Sequence, residues 1–394
     1  MDEPRLATSA EITQAAATAK ASGRLGIDTE FISEGRYRPL LCLVQVVVDA
    51  PGGSSVVLID ALAGDAPVQP VAALLADPSV EVVLHAGRQD VAILRRAWDT
   101  DVVTIFDTQI SAGFAGQSAQ SGYGNLIGAM LGRRLAKSAS YTRWDARPLS
   151  AEQLHYAVED VAQLLELADE LKRRLRETGR LGWAVEECRR LESASEERDP
   201  ETVWERLPRI SQLDPRSRAV ARTVAAWRER TASREDRPVG SVLADQVVVE
   251  VARRRPSTPN ELARIRGVHR SVLNRRGDGI VAAVQRGMQE PPIPRERAQP
   301  RSEPVDVPVI ALVEAWLRAR ALEAGLAYEL VSSRAELEAV VGAARRGDPE
   351  PPVRALTGWR EQLVGDELRN LVSGRNAIAV DGDLRLRLLR TPLV

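Results

Sequence analysis

Three apolar segments follow one another within residues 25 to 60, and they constrain the fold of this chain more than any other feature. Their apolar patterns, bounded by glycine, proline and acidic residues, predict strands at residues 25–31, 40–49 and 56–60. The connections between them are too short for helical crossovers. We therefore expect the three strands to form an antiparallel meander.

The pattern changes after residue 60. Further strands are predicted at residues 80–85 and 102–106, and helical patterns at residues 68–75 and 89–98 alternate with them, which indicates a mixed α/β sheet. A long helix is then predicted from residue 150 to about residue 177. Ser150 is suited to cap it, with Gln153 at the capping-box position.

Charge divides the chain into an acidic front and a basic middle. Residues 1–200 hold 21 Lys and Arg against 29 Asp and Glu, residues 201–300 hold 20 against 12, and the remainder holds 13 against 14. A small, charged stretch near residues 191–200 and a segment with five prolines at residues 291–304 indicate boundaries. We predict an α/β domain at residues 1–196, a helical domain at residues 205–290, a linker at residues 291–304 and a second helical domain at residues 305–394.

Several protein classes are disfavoured by composition. The two cysteines, Cys42 and Cys188, have no cysteine or histidine within four residues, which argues against thiolate zinc sites and disulfide scaffolds. The amino terminus lacks the pattern of a secretory signal, and the longest apolar run, residues 40–48, is interrupted by Gln45 and too short for a bilayer. We expect a cytoplasmic protein that does not interact with membranes.

Carboxylates recur in three of the predicted elements. Asp28 and Glu30 share one face of the first strand, because side chains alternate along a strand. Asp90 follows a strand into the first turns of a helix, and Tyr156 lies one helical turn before Asp160. Taken separately, the first pair is more simply a solvated strand edge, and the last pair belongs to an ordinary amphipathic helix. All three segments together favour a site.

Four carboxylates without a histidine or thiolate cluster are a hard, oxygen-rich ligand set. Such a set favours Mg²⁺ or Mn²⁺ over zinc. Two divalent ions can hold the attacking and leaving oxygens of an in-line phosphoryl displacement, so a nuclease is the natural chemistry. Tyr156 would position the attacking water.

The three segments resemble, in order and context, the motifs of the DEDDy class of 3'-to-5' exonucleases, most closely the ribonuclease D family. Intervening segments resemble that family as well, namely residues 41–45, 106–108, 122–124, 137–138 and 144–149. The resemblance implies a ribonuclease-H-like fold, two divalent metals, and release of nucleoside 5'-monophosphates from a free 3' end.

The family pattern also implies a role for each residue. Asp28 bridges both metals, Glu30 and Asp160 hold the metal that activates water, and Asp90 supports the second metal through water. Tyr156 orients the nucleophile. All five positions match without substitution, so we expect an active enzyme.

Other residues near these motifs are candidates for substrate contact, each with a structural alternative. Phe31 can stack on the terminal base or be an ordinary core residue. His85 can approach the terminal nucleotide, although a satisfied structural histidine is the favoured interpretation. Arg143, Trp144 and Arg147 combine charge and stacking surface before the catalytic helix, with packing and helix-end solvation as the alternative.

Residues 210–289 resemble the helicase and RNase D C-terminal (HRDC) domain, a small helical bundle that helps hold nucleic acid. Its positive charge supplies the phosphate affinity that the acidic first domain lacks. Arg253, Arg254 and Arg255 are the first candidates for that contact, and a solvated basic surface is the alternative. The last segment resembles a second, more diverged HRDC-like domain, so the expected architecture is an α/β exonuclease domain followed by two all-α domains.

The family implies RNA with a free 3' end as substrate, with tRNA precursors as its natural form, and we expect a monomer. A 3'-to-5' exonuclease for DNA is the strongest competing interpretation, because similar carboxylate sites serve both polymers. A non-catalytic RNA-binding adaptor is a further alternative, and it would need a broken metal site.

Overall fold

The computed structural model describes residues 3–64, 67–135, 143–294, 303–348 and 350–391. The chain divides into two compact units. The first combines Met1–Glu30, Cys42–Ser195 and Gln299–Val394, and the second combines Phe31–Leu41 and Glu196–Ala298. Most of the expected linker at residues 291–304, and the Lys-Ser pair at residues 137–138, lie outside the described residues.

The first unit contains a five-stranded mixed sheet in the order β3-β2-β1-β4-β5. Its strands are β1 (Arg24–Ile32), β2 (Leu40–Ala50), β3 (Gly53–Asp60), β4 (Glu81–Leu84) and β5 (Ile105–Asp107). Strands β2 and β3 pair antiparallel, whereas β4 pairs parallel with both β1 and β5. The predicted mixed sheet is confirmed. Its last strand is shorter than expected, because residues 102–104 lie outside the strand.

Helices lie before, between and after these strands. They are α1 (Ser9–Ser22), α2 (Gln69–Leu75), α3 (Arg88–Trp98), α4 (Thr108–Phe114), α5 (Tyr123–Leu126, followed by a π-helical turn at Ile127–Leu131), α6 (Ala151–Ala162), α7 (Leu164–Glu177) and α8 (Leu181–Cys188). The capping box predicted at Ser150 and Gln153 is present at the start of α6.

The long helix predicted for residues 150–177 is two helices, and the prediction of one continuous helix was wrong. Gln163, with φ −110° and ψ 8°, separates α6 from α7. Just beyond the break, Leu164 packs on Gly26 of β1, where an added Cβ would lie 3.2 Å from Leu164 Cδ2. The periodicity of apolar residues continues across the break because both helices bury a face, so the sequence pattern could not reveal it.

The first unit is completed at the C-terminal end of the chain, after the helices of the second unit, by α14 (Val307–Glu323), α15 (Tyr328–Val331), α16 (Arg334–Arg345), α17 (Gly358–Arg360) and α18 (Asp366–Val372). A two-stranded antiparallel hairpin, β6 (Asn376–Val380) with β7 (Leu386–Arg390), follows these helices and was not predicted. One hydrophobic cluster contains buried residues from both the sheet domain and this region, including Phe114 and Trp359, whose rings meet edge to face at 4.9 Å.

The second unit is a helical bundle with its own hydrophobic core. It contains α9 (Pro215–Glu235), α10 (Val239–Val242), α11 (Asp245–Arg254), α12 (Pro259–Leu262) and α13 (Arg270–Gln289). The segment 31–41 packs with this bundle, where the Tyr37 hydroxyl donates to Glu229 Oε1 at 2.9 Å. Among the described helices, none combines the length and apolar content needed to cross a bilayer.

Candidate active site

Three of the predicted carboxylates converge. Asp28 and Glu30 project from β1 and Asp160 from α6, and one carboxylate oxygen from each lies within 4.8 Å of the other two. All three side chains are half-buried. Period-two alternation explains the strand pair, and the buried face of α6, which includes Ala157 and Val161, sets the rotation of the helix that brings Asp160 to them.

Burial raises the pKa of every carboxyl group in this cluster, and repulsion from neighbouring carboxylates adds to the effect. Burial, with the charges of Asp90, Asp160 and Glu30, holds the pKa of Asp28 well above its ordinary value. The same effects raise the pKa of Glu30 to about 8, and burial raises that of Asp160 to about 6, opposed by a hydrogen bond from Tyr156. A bound cation would relieve this repulsion, so the cluster is suited to divalent metal.

Asp90 lies outside the group of three. It occupies the first turn of α3, is 8% exposed, and accepts a hydrogen bond from the Thr29 hydroxyl. Its charge is still near enough to raise the pKa of both Asp28 and Glu30. Thr29 therefore supports the site from the opposite side of β1, a contribution that the sequence analysis missed.

Asp107 is a second residue that sequence reasoning left without a role. It is 1% exposed and caps α4 by accepting from the backbone N–H groups of Gln109 at 2.8 Å and Ile110 at 3.0 Å. Its other oxygen accepts from the N–H of Gly87 at 2.8 Å, which holds the start of the helix that carries Asp90. The sequence signal was present, since Asp107 follows a predicted strand and precedes Thr108, a pattern typical of a helix cap.

Tyr156 lies beside Asp160, as its spacing predicts. Its hydroxyl donates to the Asp160 carboxylate, and burial and nearby carboxylates raise the pKa of Tyr156, so the hydroxyl stays protonated. The Trp144 ring packs against it, with centroids 6.0 Å apart. Trp144 is 2% exposed, so its ring surface is occupied within the protein.

The remaining candidates near the site differ in their surroundings. His85 Nδ1 lies 2.9 Å from Thr108 Oγ1, its ring contacts Tyr123, and burial lowers its pKa to about 4, the surroundings of a satisfied, uncharged histidine. Arg147 donates to Asp60 and to the carbonyl oxygen of Cys42 at 2.9 Å, which joins three segments of the first unit. Arg143 is exposed beside Asp145, and Phe31 is half-buried near the end of β1.

The three arginines of the helical unit are exposed at the end of α11. Arg253 and Arg254 both pair with Glu250, at 2.8 and 2.5 Å, and Arg255 is the C-cap with φ 52°. Exposed pairs of this kind contribute little stability, so both guanidinium groups can exchange Glu250 for a phosphate at small cost.

We expect Glu30→Gln to stabilise the cation-free protein at pH 8 but not near pH 4.5. Between the ordinary pKa of a glutamate and about 8, folded Glu30 keeps a proton that the unfolded chain releases, so its contribution to stability falls as pH rises. Glutamine does not titrate, so at pH 8 the variant should be more stable than the wild type by a free energy of unfolding on the order of 1 kcal/mol. Thermal unfolding with a chelator at both pH values measures it, with the exposed Glu177→Gln as control. An equal effect of Glu30→Gln at the two pH values would contradict the prediction.

Comparisons with known proteins agree with this geometry. Residues 5–176 match the family model described as 3'-5' exonuclease, and residues 217–284 match the model of the HRDC domain. The first range contains all four carboxylates and Tyr156, and the second contains the three arginines at the end of α11.

Similar proteins also match along nearly the whole chain. Ribonuclease D of Gluconacetobacter diazotrophicus is 36% identical, with 97% of this chain and 95% of that protein covered. Ribonuclease D of Granulibacter bethesdensis is 35% identical, with coverage of 98% and 97%. The crystal structure of Escherichia coli RNase D, described as an exoribonuclease involved in structured RNA processing, matches with a TM-score of 0.82 and 27% identity, covering 95% of this chain and 99% of that one.

Proposed function

Because the chain belongs to the ribonuclease D family and is a 3'-to-5' exoribonuclease, we propose that it hydrolyses RNA with two divalent cations, Mg²⁺ or Mn²⁺, held by Asp28, Glu30, Asp90 and Asp160. The observation that carries this proposal is the convergence of three carboxylate oxygens within 4.8 Å. Three like charges this close are costly without cations, and oxygen ligands suit these metals. The residues present therefore fit the group that the family implies.

Bound cations would polarise the scissile phosphate and stabilise the attacking and leaving oxygens. Asp28, whose charge interacts with all three other carboxylates, would serve both cations, and Glu30 and Asp160 would hold the cation that activates water. Asp90, which lies outside the converging group, would support the second cation through water. Tyr156 is protonated and bonded to Asp160, so it orients the attacking water as a hydrogen-bonding group and does not remove its proton.

Tyr156→Phe is expected to lower kcat by about 10²-fold while changing KM little, because the ring still packs on Trp144 but the hydroxyl is gone. Single-turnover rates and RNA binding measured separately test this. A parallel loss of RNA affinity would mean that the tyrosine grips substrate, and its positioning role would have to be withdrawn.

We propose that the domains extend over residues 1–196, 205–290 and 305–394, and that the basic HRDC domain contributes RNA affinity. The net charge of +8 for residues 201–300 supports this, since that range contains 20 basic and 12 acidic residues. Arg253, Arg254 and Arg255 are the proposed contacts. Near the active site, the exposure of Arg143 makes it better suited to touch RNA than the buried Trp144.

Replacing Arg253, Arg254 and Arg255 together by glutamine should weaken RNA binding and flatten its salt dependence. Each single-strand phosphate contact contributes about 0.7 to the slope of log K against log salt, so the slope should fall by about 2. Affinity for one tRNA precursor measured at several salt concentrations gives the slope.

The matched control replaces Arg173, Arg174 and Arg176 of α7 by glutamine, which removes the same charge from another helix surface. Equal slopes for both triple variants would show that net charge, and not a contact at α11, governs binding. The HRDC arginines would then have no direct role.

We propose that the natural substrates of this enzyme are tRNA precursors with a 3' tail. We also propose that the enzyme is a monomer and acts in the cytoplasm. Its family acts on RNA, and both cysteines are free and buried, as suits a reducing compartment. Turnover of matched single-stranded RNA, single-stranded DNA and a tailed tRNA precursor, each with Mg²⁺ and with Mn²⁺, tests the substrate. Faster cleavage of DNA than of RNA would favour the competing DNA exonuclease.

A further inference from the structure

One polar side chain interrupts the apolar strand β2. The strand is buried from Leu41 to Val48, and Gln45 is the polar residue within that stretch, at 0% exposure. Neither Oε1 nor Nε2 of Gln45 has a hydrogen-bond partner among the described residues. A buried polar group without a hydrogen-bond partner destabilises the folded state, so an apolar side chain would be more stable at this position. Packing alone does not explain a glutamine at this position.

The register of β1 and β2 places Gln45 next to the carboxylate cluster. The strands are neighbours in the sheet, and Gly26 lies against Val47, since an added Cβ would be 2.5 Å from Val47 Cγ1. Residues 33–39 are too few for a crossover, so the strands run antiparallel. Asp28 lies two residues after Gly26 in β1, and Gln45 lies two residues before Val47 in β2. The side chains of Asp28 and Gln45 are therefore cross-strand neighbours on one face of the sheet.

A neutral amide beside Asp28 has a specific use. Asp28 lies among three other carboxylates, and the backbone N–H of Thr29 provides a hydrogen bond that favours its charged form. A lysine or arginine at position 45 would also stabilise the carboxylate, but its charge would repel the cations. An amide N–H can hold the carboxylate oxygen that faces the protein and leave the other oxygen for metal.

We propose that Gln45 is a positioning residue for Asp28: in the cation-loaded enzyme its amide N–H donates to an Asp28 carboxylate oxygen, directly or through one buried water. This inference rests on the cation site proposed above. Gln45 touches neither RNA nor the reacting atoms, and its effect passes through the orientation of Asp28.

Gln45→Met tests the proposal, because methionine keeps the length of the side chain and suits an apolar strand but lacks the amide. We expect the affinity of the full chain for Mn²⁺ without RNA, measured calorimetrically at pH 8, to fall at least about 10-fold. The melting temperature with a chelator should be equal to or higher than that of the wild type, since the unpartnered amide is gone. Wild-type Mn²⁺ affinity in this variant would overturn the proposal.

Two controls separate the possible failures. Val46→Ala alters a buried residue on the opposite face of β2 and should lower the melting temperature while preserving Mn²⁺ affinity. Asp28→Asn should lose Mn²⁺ binding. If Asp28→Asn binds Mn²⁺ like the wild type, the proposed cation site is wrong. If it loses binding and Gln45→Met does not, only the role of Gln45 fails.

A measurement on the wild type keeps the proposal testable even if Gln45→Met does not fold. In a crystal structure with Mn²⁺, Nε2 of Gln45 should lie within about 3.2 Å of an Asp28 oxygen or of a water bonded to that oxygen. An amide that bonds only to other groups would overturn the positioning role.

Discussion

Asp28→Asn is expected to reduce RNA hydrolysis by at least about 10³-fold while the protein stays folded. Asp28 converges with Glu30 and Asp160, so neutralising it removes the charge that serves both proposed cations. The fold should tolerate the change, because the raised pKa of Asp28 shows that its charge is unfavourable in the cation-free protein. Turnover of a 3'-labelled RNA, with circular dichroism as the folding check, measures both.

A control at the surface makes this result interpretable. Glu177→Gln neutralises an exposed carboxylate that pairs with Arg173 and lies outside the converging group, so it should leave the turnover rate nearly unchanged. If the Asp28→Asn variant is folded and turns over RNA at the normal rate in the presence of divalent cations, the assignment of the cation site is wrong.

Arg360→Leu should destabilise the first unit by about 3 to 5 kcal/mol, the range for removing one partner of a buried ion pair. Arg360 is 1% exposed and lies 2.7 Å from Glu187, whose carboxylate also accepts from the Trp359 indole at 3.1 Å. Burial acts against the charge of Glu187, yet the hydrogen bonds of Arg360 hold its pKa below the ordinary value. Without Arg360, the Glu187 carboxylate loses its closest cationic partner.

Denaturant unfolding of the full chain measures this loss, with Arg318→Leu, an exposed arginine paired with Glu314, as the matched control. The double variant Glu187→Leu with Arg360→Leu should recover part of the stability, because it removes the buried charge together with its partner. A loss no greater than that of the control would show that the pair contributes little.

This ion pair also connects the C-terminal region to the catalytic domain. Glu187 lies on α8 of the catalytic domain and Arg360 on α17, and the same hydrophobic cluster extends through both regions. Truncation after residue 196 would expose that cluster to water. Point variants in the full chain are therefore the cleaner way to separate catalysis from RNA binding.

Local sequence patterns determined the parts of the site that depend on backbone periodicity. Alternation along β1 places Asp28 and Glu30 on one face, and helical spacing places Tyr156 beside Asp160 after a capping box at Ser150. The order of these motifs sufficed to identify the 3'-to-5' exonuclease family, which the comparisons confirm. Such features repeat within a few residues, so the sequence encodes them directly.

Only the tertiary structure decided the features that join distant segments. It separated α6 from α7 at Gln163 and buried Trp144 against Tyr156. It also placed Asp107 where its carboxylate accepts hydrogen bonds from the first residues of both α3 and α4. It also placed the C-terminal helices on the core of the catalytic domain, and Gln45 beside Asp28 through strand register. These arrangements depend on which buried faces pack against each other between separate segments of the chain, and local residue spacing carries no record of that choice.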